Sequence, residues 1–162
     1  MIEFLVAITL GAVVMVLISG IFVQTIRLQR RAFFIQRVQE NLSLVLESMA
    51  KEIRVSTIST ANTSCPALPS QILAINHPVN GNIEYSLSGG DIHRKAVDSG
   101  IDTVFNSFGI LVTRLNFCVS GNDTNDNLQP KVTIILSVQN SGGAEIFPID
   151  VQTTVSQRLL SN

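Results

Sequence analysis

The sequence predicts an α+β fold, in which one long N-terminal α-helix packs by its second half on an antiparallel β-sheet. Three observations lead to this prediction. Phe4 to Val23 form an apolar run in which Thr9 and Ser19 are the only polar side chains. An amphipathic stretch with helical spacing follows. Beyond it, short alternating runs are separated by turns rich in Gly, Asn and Pro.

The apolar run has the length of a transmembrane helix. About 20 such residues in helical form match the roughly 30 Å hydrocarbon core of a bilayer. We therefore assign residues 1–26 to a transmembrane segment. Glu3 stands at its start, where a carboxylate either pairs with a cation or lies in the aqueous headgroup layer. Spacing alone leaves both interpretations open.

The helical pattern continues past the membrane segment, over residues 27–56. Apolar residues recur there at spacings of three and four, while Glu52 belongs to the predicted polar face. The apolar positions are Ile35, Val38, Leu42, Val45 and Met49, with Leu46 and Ile53 beside them. No Pro precedes Pro66, so we expect one helix of about 50 residues and about 80 Å. A signal anchor followed by an ordinary core helix is the alternative.

Residues 57–162 form the predicted β-rich head domain. We expect a loop over residues 56–70 and an irregular segment over residues 100–109. A hairpin is predicted at residues 83–95, turning at Gly89 and Gly90. The other predicted strands are Gln71 to Asn76, Ile110 to Val119, Val132 to Gln139 and Phe147 to about Leu159, which makes about six strands in all.

Composition and charge exclude several classes of function. The chain has 162 residues, and the part beyond Arg54 carries five basic and eight acidic side chains, so this slightly acidic head does not suit phosphate neutralisation. One Tyr and no Trp leave little for base stacking, and we expect no nucleic-acid partner. No GxSxG, P-loop or HExxH motif is present. We therefore expect neither an enzyme nor a cofactor.

The sequence contains two cysteines, two histidines and one segment rich in Asn and Asp that could carry redox or metal chemistry. Cys65 and Cys118 are the only cysteines, and they either form a disulfide in an oxidising compartment or remain as two buried thiols. His77 and His93 lack ligands at zinc-like spacing. The segment Asn122 to Asn127 has oxygen donors for calcium but lacks the Gly and the final Glu of an EF-hand loop, so a solvated turn is favoured. No metal site is predicted.

The opening residues Met1-Ile2-Glu3-Phe4-Leu5-Val6-Ala7-Ile8 resemble the start of the type IV pilin and type II secretion pseudopilin superfamily. On that resemblance, Glu3 is the acidic residue that meets the N-terminal amine of a neighbouring subunit in the filament. The predicted hairpin is similar to one in the head of the larger minor pseudopilins. In that family the mature chain normally begins with a methylatable residue two positions before the Ile-Glu pair. A basic leader that ends in Gly precedes this residue. This sequence contains neither, which leaves open an earlier start, a trimmed chain or a lost processing site.

The resemblance implies a minor pilin or minor pseudopilin, stored in the bacterial inner membrane as a single-pass protein with its head in the periplasm or outside. Its expected partners are other pilin or pseudopilin subunits, through the N-terminal helix, and the assembly platform proteins. Arg27, Arg30, Arg31 and Arg37 alone would hold the head in the cytoplasm by the positive-inside rule, but the family's basic leader competes with them. A signal-anchored extracytoplasmic binding module, with the helix as a tether, is the alternative.

Overall fold

The computed structural model of the chain describes residues 2–106, 109–123, 128–142 and 146–158. The predicted α+β class is confirmed, because one long helix precedes two antiparallel sheets in these residues. The elements are α1 (Ile2–Val55), β1 (Thr57–Ile58), β2 (Leu73–His77), β3 (Gly81–Ser88), β4 (Asp91–Ala96), β5 (Ile101–Val104), β6 (Ile110–Ser120), β7 (Lys131–Asn140) and β8 (Ile149–Ser156).

The strands are arranged in chain order within each sheet. The first sheet has the order β1-β2-β3-β4-β5, and the second has the order β6-β7-β8. All neighbouring strands are antiparallel. Two segments differ from the sequence prediction. The segment 100–109, predicted to be irregular, contains β5. All four residues of β5 are exposed, so its sequence shows no alternation of buried and exposed positions. The predicted loop, residues 56–70, contains the two-residue strand β1 near its start.

The β3–β4 hairpin brings the two sheets together at its turn. Gly90 has a φ of 89°, which favours glycine, and its carbonyl accepts a 2.9 Å hydrogen bond from the amide of Val112 on β6. A Cβ at this position would lie 2.3 Å from Cδ1 of Leu111. The positive φ and this contact together favour glycine where the turn meets β6.

The chain divides into two compact units, Met1–Gln39 and Glu40–Asn162. In the second unit, the apolar stripe of α1 is buried together with the inward side chains of the sheets. The buried helix positions are Leu42, Val45, Met49 and Ile53, and the most buried strand positions include Leu73, Ile83, Tyr85, Ile92, Phe117 and Ile134. At about 1.5–3 kcal/mol for each buried apolar side chain, this stripe is the main attachment of α1 within the unit.

Carbonyls at the C-terminal end of α1 accept hydrogen bonds from Arg158, which follows β8, and from Ser56, which follows α1. The Arg158 amide donates to the Arg54 carbonyl at 2.9 Å, and the Ser56 hydroxyl donates to the Glu52 carbonyl at 2.6 Å. Gln157 is buried, and its Oε1 accepts the Ile58 amide at 3.2 Å. Because the last carbonyls of a helix have no partner within it, the bonds to the Arg54 and Glu52 carbonyls replace the usual glycine cap.

Candidate functional site

The apolar half of α1, residues 4–23, is the most unusual surface of the molecule, and we call it the stem. Its large apolar side chains are 48% exposed at Val14 and up to 74% exposed at Phe4. Consecutive residues from Val13 to Ile18 are all exposed, so the apolar surface surrounds the helix. Contiguous apolar surface of this extent marks a membrane or protein interaction site. The helix is also long and apolar enough to cross a membrane.

The two hydroxyl groups of the stem are satisfied by its own backbone. Thr9 donates to the carbonyl of Val6 at 2.9 Å, and Ser19 donates to the carbonyl of Met15 at 2.8 Å. The backbone amides and carbonyls are bonded along the helix. A segment with its polar groups satisfied in this way can lie in hydrocarbon or among other apolar helices.

Glu3 lies in the first turn of α1, directly before the stem, and its side chain is exposed. The amide end of a helix favours a negative charge, which suits a carboxylate in the first turn. Met1 lies outside the described residues. The stem and Glu3 together form the candidate site, which is an exposed apolar surface with one charge at its end.

Three polar side chains join α1 to the first sheet within the second unit. The Glu52 carboxylate accepts hydrogen bonds from Arg94 Nε at 3.0 Å and Arg94 Nη2 at 2.9 Å, and also from the hydroxyl of Tyr85. Tyr85 and Arg94 are opposite each other on β3 and β4. The Glu52 and Arg94 side chains are only 19% and 16% exposed. A charged pair with so little water around it requires all of these contacts.

This cluster was missed by the sequence prediction, which placed Glu52 on the polar face of the helix. The partners lie 33 and 42 residues away in sequence, so no local spacing could indicate them. The only available signal is an acidic residue at the edge of an apolar stripe. Such a residue is ordinarily solvated, and here it reaches the sheet because Arg94 and Tyr85 lie opposite it.

Tyr85 should make the stability of the protein fall at alkaline pH. Burial, and then its hydrogen bond to Glu52, raise the pKa of Tyr85 well above the ordinary 10.0. The unfolded chain therefore loses the tyrosine proton first, and unfolding becomes easier by about 1.4 kcal/mol per pH unit above about pH 10. Tyr85→Phe should remove this part of the pH dependence.

Absorbance of tyrosinate measures this effect directly, because Tyr85 is the only Tyr in the chain. We expect tyrosinate to appear together with unfolding. Ionisation of Tyr85 near its ordinary pKa, in protein that is still folded, would contradict the assignment.

The two cysteines lie together in the structure. Cys65 and Cys118 form a disulfide with their Cα atoms 5.9 Å apart. The bridge attaches the loop after β1 to β6, beside a backbone bridge between Ser70 and Phe117. The loop is thereby fixed to the second sheet by both covalent and hydrogen bonds.

The residues considered for metal binding are engaged in other contacts. His77 Nδ1 accepts the amides of Val79 and Asn80 in the β2–β3 turn, and His93 Nδ1 lies 2.9 Å from Asp102 Oδ2. Across residues 2–106, 109–123, 128–142 and 146–158, no three His, Cys, Asp or Glu side chains converge as metal ligands would.

The candidate calcium segment is described in part. The Asn122 amide donates to Asn62 Oδ1 at 2.9 Å, and Asp123 Oδ2 accepts from Asn62 Nδ2 at 2.7 Å. Residues 124–127 of this segment lie outside the described residues. The described part of the segment is attached to the loop after β1.

Comparison with known proteins gives no relative: no family model, no curated protein and no solved structure matches the chain. The structure and the sequence therefore define its class by themselves. It is an α+β protein whose N-terminal helix is long and apolar enough to cross a membrane and exposes apolar side chains on all sides of the stem.

Proposed function

We propose that the chain is a minor pilin or minor pseudopilin, a structural subunit that is stored in a membrane and then joins a helical fibre. The observation that carries this proposal is the stem, which is exposed around its circumference on a helix that continues without a break to Val55. A tether needs only length and hydrophobicity. A fibre subunit also needs a stem that can be surrounded by other stems.

Lipid and a bundle of apolar helices are similar environments for the stem, because both are apolar. The hydrophobic effect therefore does not favour moving the stem from lipid into a helix bundle, or back again. Side-chain packing and a few polar contacts decide whether stems associate. Glu3 supplies such a contact. A carboxylate in hydrocarbon costs about 2.5–3.5 kcal/mol on insertion scales, and a neighbouring subunit's N-terminal amine would offset this cost.

The proposed partners are other pilin or pseudopilin subunits, the inner membrane and the assembly platform proteins of a type II secretion or type IV pilus machine. We place the head outside the cytoplasm, because the Cys65–Cys118 disulfide suits an oxidising compartment. The resemblance of the sequence to minor subunits implies a place in an initiating or tip complex. We propose no catalytic role.

Replacing Glu3 should separate insertion from assembly. In Glu3→Ala and Glu3→Gln we expect normal membrane insertion, because the stem is unchanged, and loss of most fibre incorporation, because the amine has no acid to meet. The measurement is the amount of the subunit in sheared fibres relative to membranes, in cells with the native assembly machine. Glu3→Asp is the control that retains the charge, and wild-type incorporation of both neutral variants would contradict the role of Glu3.

Exchanging the stem tests the alternative of a tethered binding module. We expect that an unrelated apolar helix in place of residues 4–23, with Glu3 kept, supports insertion but not assembly, because stem packing depends on side-chain shape. Full function of this exchange variant would mean that the helix is only a tether.

A further inference from the structure

Immediately after the stem, α1 carries three arginines that we call the arginine collar: Arg27, Arg30 and Arg31. All three side chains are exposed. Their spacing of three and four residues places them on one face of the helix. Leu28 and Phe33, at the same level, are 65% and 70% exposed. The collar therefore combines positive charge with apolar side chains on the same two turns.

The charge of this part of the helix has one sign. Between Glu3 and Glu40 the chain has four arginines, which are the collar and Arg37, and no acidic residue, so the formal charge is +4. A partner for this surface should be anionic and should lie beside an apolar phase.

The position of the collar along the helix indicates what that partner is. At about 1.5 Å per residue the stem spans about 30 Å, and the collar then begins about 6 Å and ends about 12 Å beyond Val23. The polar headgroup layer extends roughly 5–8 Å beyond the hydrocarbon on each side. With the stem in the hydrocarbon core, the backbone of Arg27 lies within the headgroup layer and that of Arg30 and Arg31 lies just outside it. Because helical side chains are directed toward the N-terminus of their helix, all three long arginine side chains extend back toward the phosphates.

We propose that the arginine collar binds anionic phospholipid headgroups in the leaflet on the head side and so sets the depth of the stem in the membrane. A guanidinium presents paired N–H donors that match phosphate oxygens, and basic residues next to a membrane helix are attracted to anionic lipid. This inference requires only that α1 crosses the membrane. It holds whether or not the chain joins a fibre.

The test measures which lipids surround the full chain in vesicles that mix phosphatidylglycerol with phosphatidylcholine. Spin-labelled versions of each lipid report the fraction that is immobilised by the protein. For the wild type we expect phosphatidylglycerol to be enriched about fivefold or more over phosphatidylcholine. In the triple variant Arg27→Gln, Arg30→Gln, Arg31→Gln we expect the enrichment to fall to nearly one.

A matched control removes three positive charges from the other unit, at Lys51, Lys95 and Lys131, which are all exposed. The Lys51→Gln, Lys95→Gln, Lys131→Gln variant should retain the wild-type enrichment. The proposal fails if the collar variant keeps its enrichment, or if both triple variants lose it equally. It also fails if inorganic phosphate abolishes the enrichment at an ionic strength where sodium chloride does not, because the collar would then be a site for small anions.

These vesicles contain no assembly machine, so the result does not depend on the proposed fibre. If the collar binds lipid but the chain never assembles into a fibre, the proposed function is wrong and the lipid inference stands. If the chain assembles normally but shows no lipid enrichment, the lipid inference fails and the proposed function stands.

Discussion

Replacing Glu52 by Gln should lower the free energy of unfolding of the second unit by about 3 kcal/mol. The variant keeps the shape of the side chain but removes its charge. Arg94, whose side chain is only 16% exposed, then retains a positive charge with no carboxylate to accept its paired hydrogen bonds. An uncompensated charge in a site with little water is the main cost, and the weakened acceptor for Tyr85 adds to it.

Denaturant titration of the full chain in detergent would measure this loss, with the fluorescence of Tyr85 as the signal. Tyr85 is the only Tyr in the chain and lies inside the cluster. Far-UV circular dichroism would be dominated by α1, whose stem stays helical in detergent. The tyrosine signal therefore reports on the relevant part of the structure.

Glu47→Gln is the matched control. It removes the same charge from the same helix, but the Glu47 carboxylate pairs with Lys51 at 2.9 Å on the exposed surface. The nearby Lys51 lowers the pKa of Glu47, yet an exposed pair of this kind contributes little to stability. We expect no measurable change in the denaturation midpoint. Equal effects of the Glu47 and Glu52 variants would show that the buried cluster does not join α1 to the sheet.

Removing the disulfide should cost about 4 kcal/mol, because the bridge closes a loop of 53 residues and so restricts the unfolded chain. The Cys65→Ser, Cys118→Ser double variant should therefore unfold at lower denaturant concentration than the oxidised wild type. Cys65 is exposed, so reductant added to the folded wild type should reach the bridge.

The double variant in the presence of reductant provides the control. Reductant should lower the stability of the wild type to that of the variant and should leave the variant unchanged. If the oxidised wild type and the double variant unfold at the same denaturant concentration, the bridge does not stabilise the fold.

Most of the architecture follows from periodic patterns in the sequence. The stem is apolar at almost every position, and the following stripe repeats at helical spacing through Leu42, Val45, Met49 and Ile53. Both patterns are local, since neighbours in sequence are neighbours on the helix. The longest strands, β6 and β7, alternate between buried and less buried positions, apart from a bulge between Val112 and Arg114 in β6. Both strands were predicted from local patterns.

The features that were missed depend on contacts between distant segments. β5 is an exposed edge strand. Its sequence has no strand-like pattern, and it is recognised as a strand because it pairs with β4. Gln157 is buried, and its side chain accepts the Ile58 amide of β1, which no pattern around position 157 can show. Glu52 is another example, as its partners come from β3 and β4. The candidate site was more predictable, because the stem and Glu3 are properties of one continuous segment.

We propose that the stem leaves lipid during assembly and becomes surrounded by the stems of neighbouring subunits. The most direct measurement places a photo-crosslinking amino acid at Val13, which is 58% exposed in the middle of the stem, in cells whose assembly machine is active. We expect crosslinks to the stems of sister subunits in the wild type and their loss in Glu3→Ala. Crosslinks to lipid alone, at equal levels in both proteins, would contradict the claim.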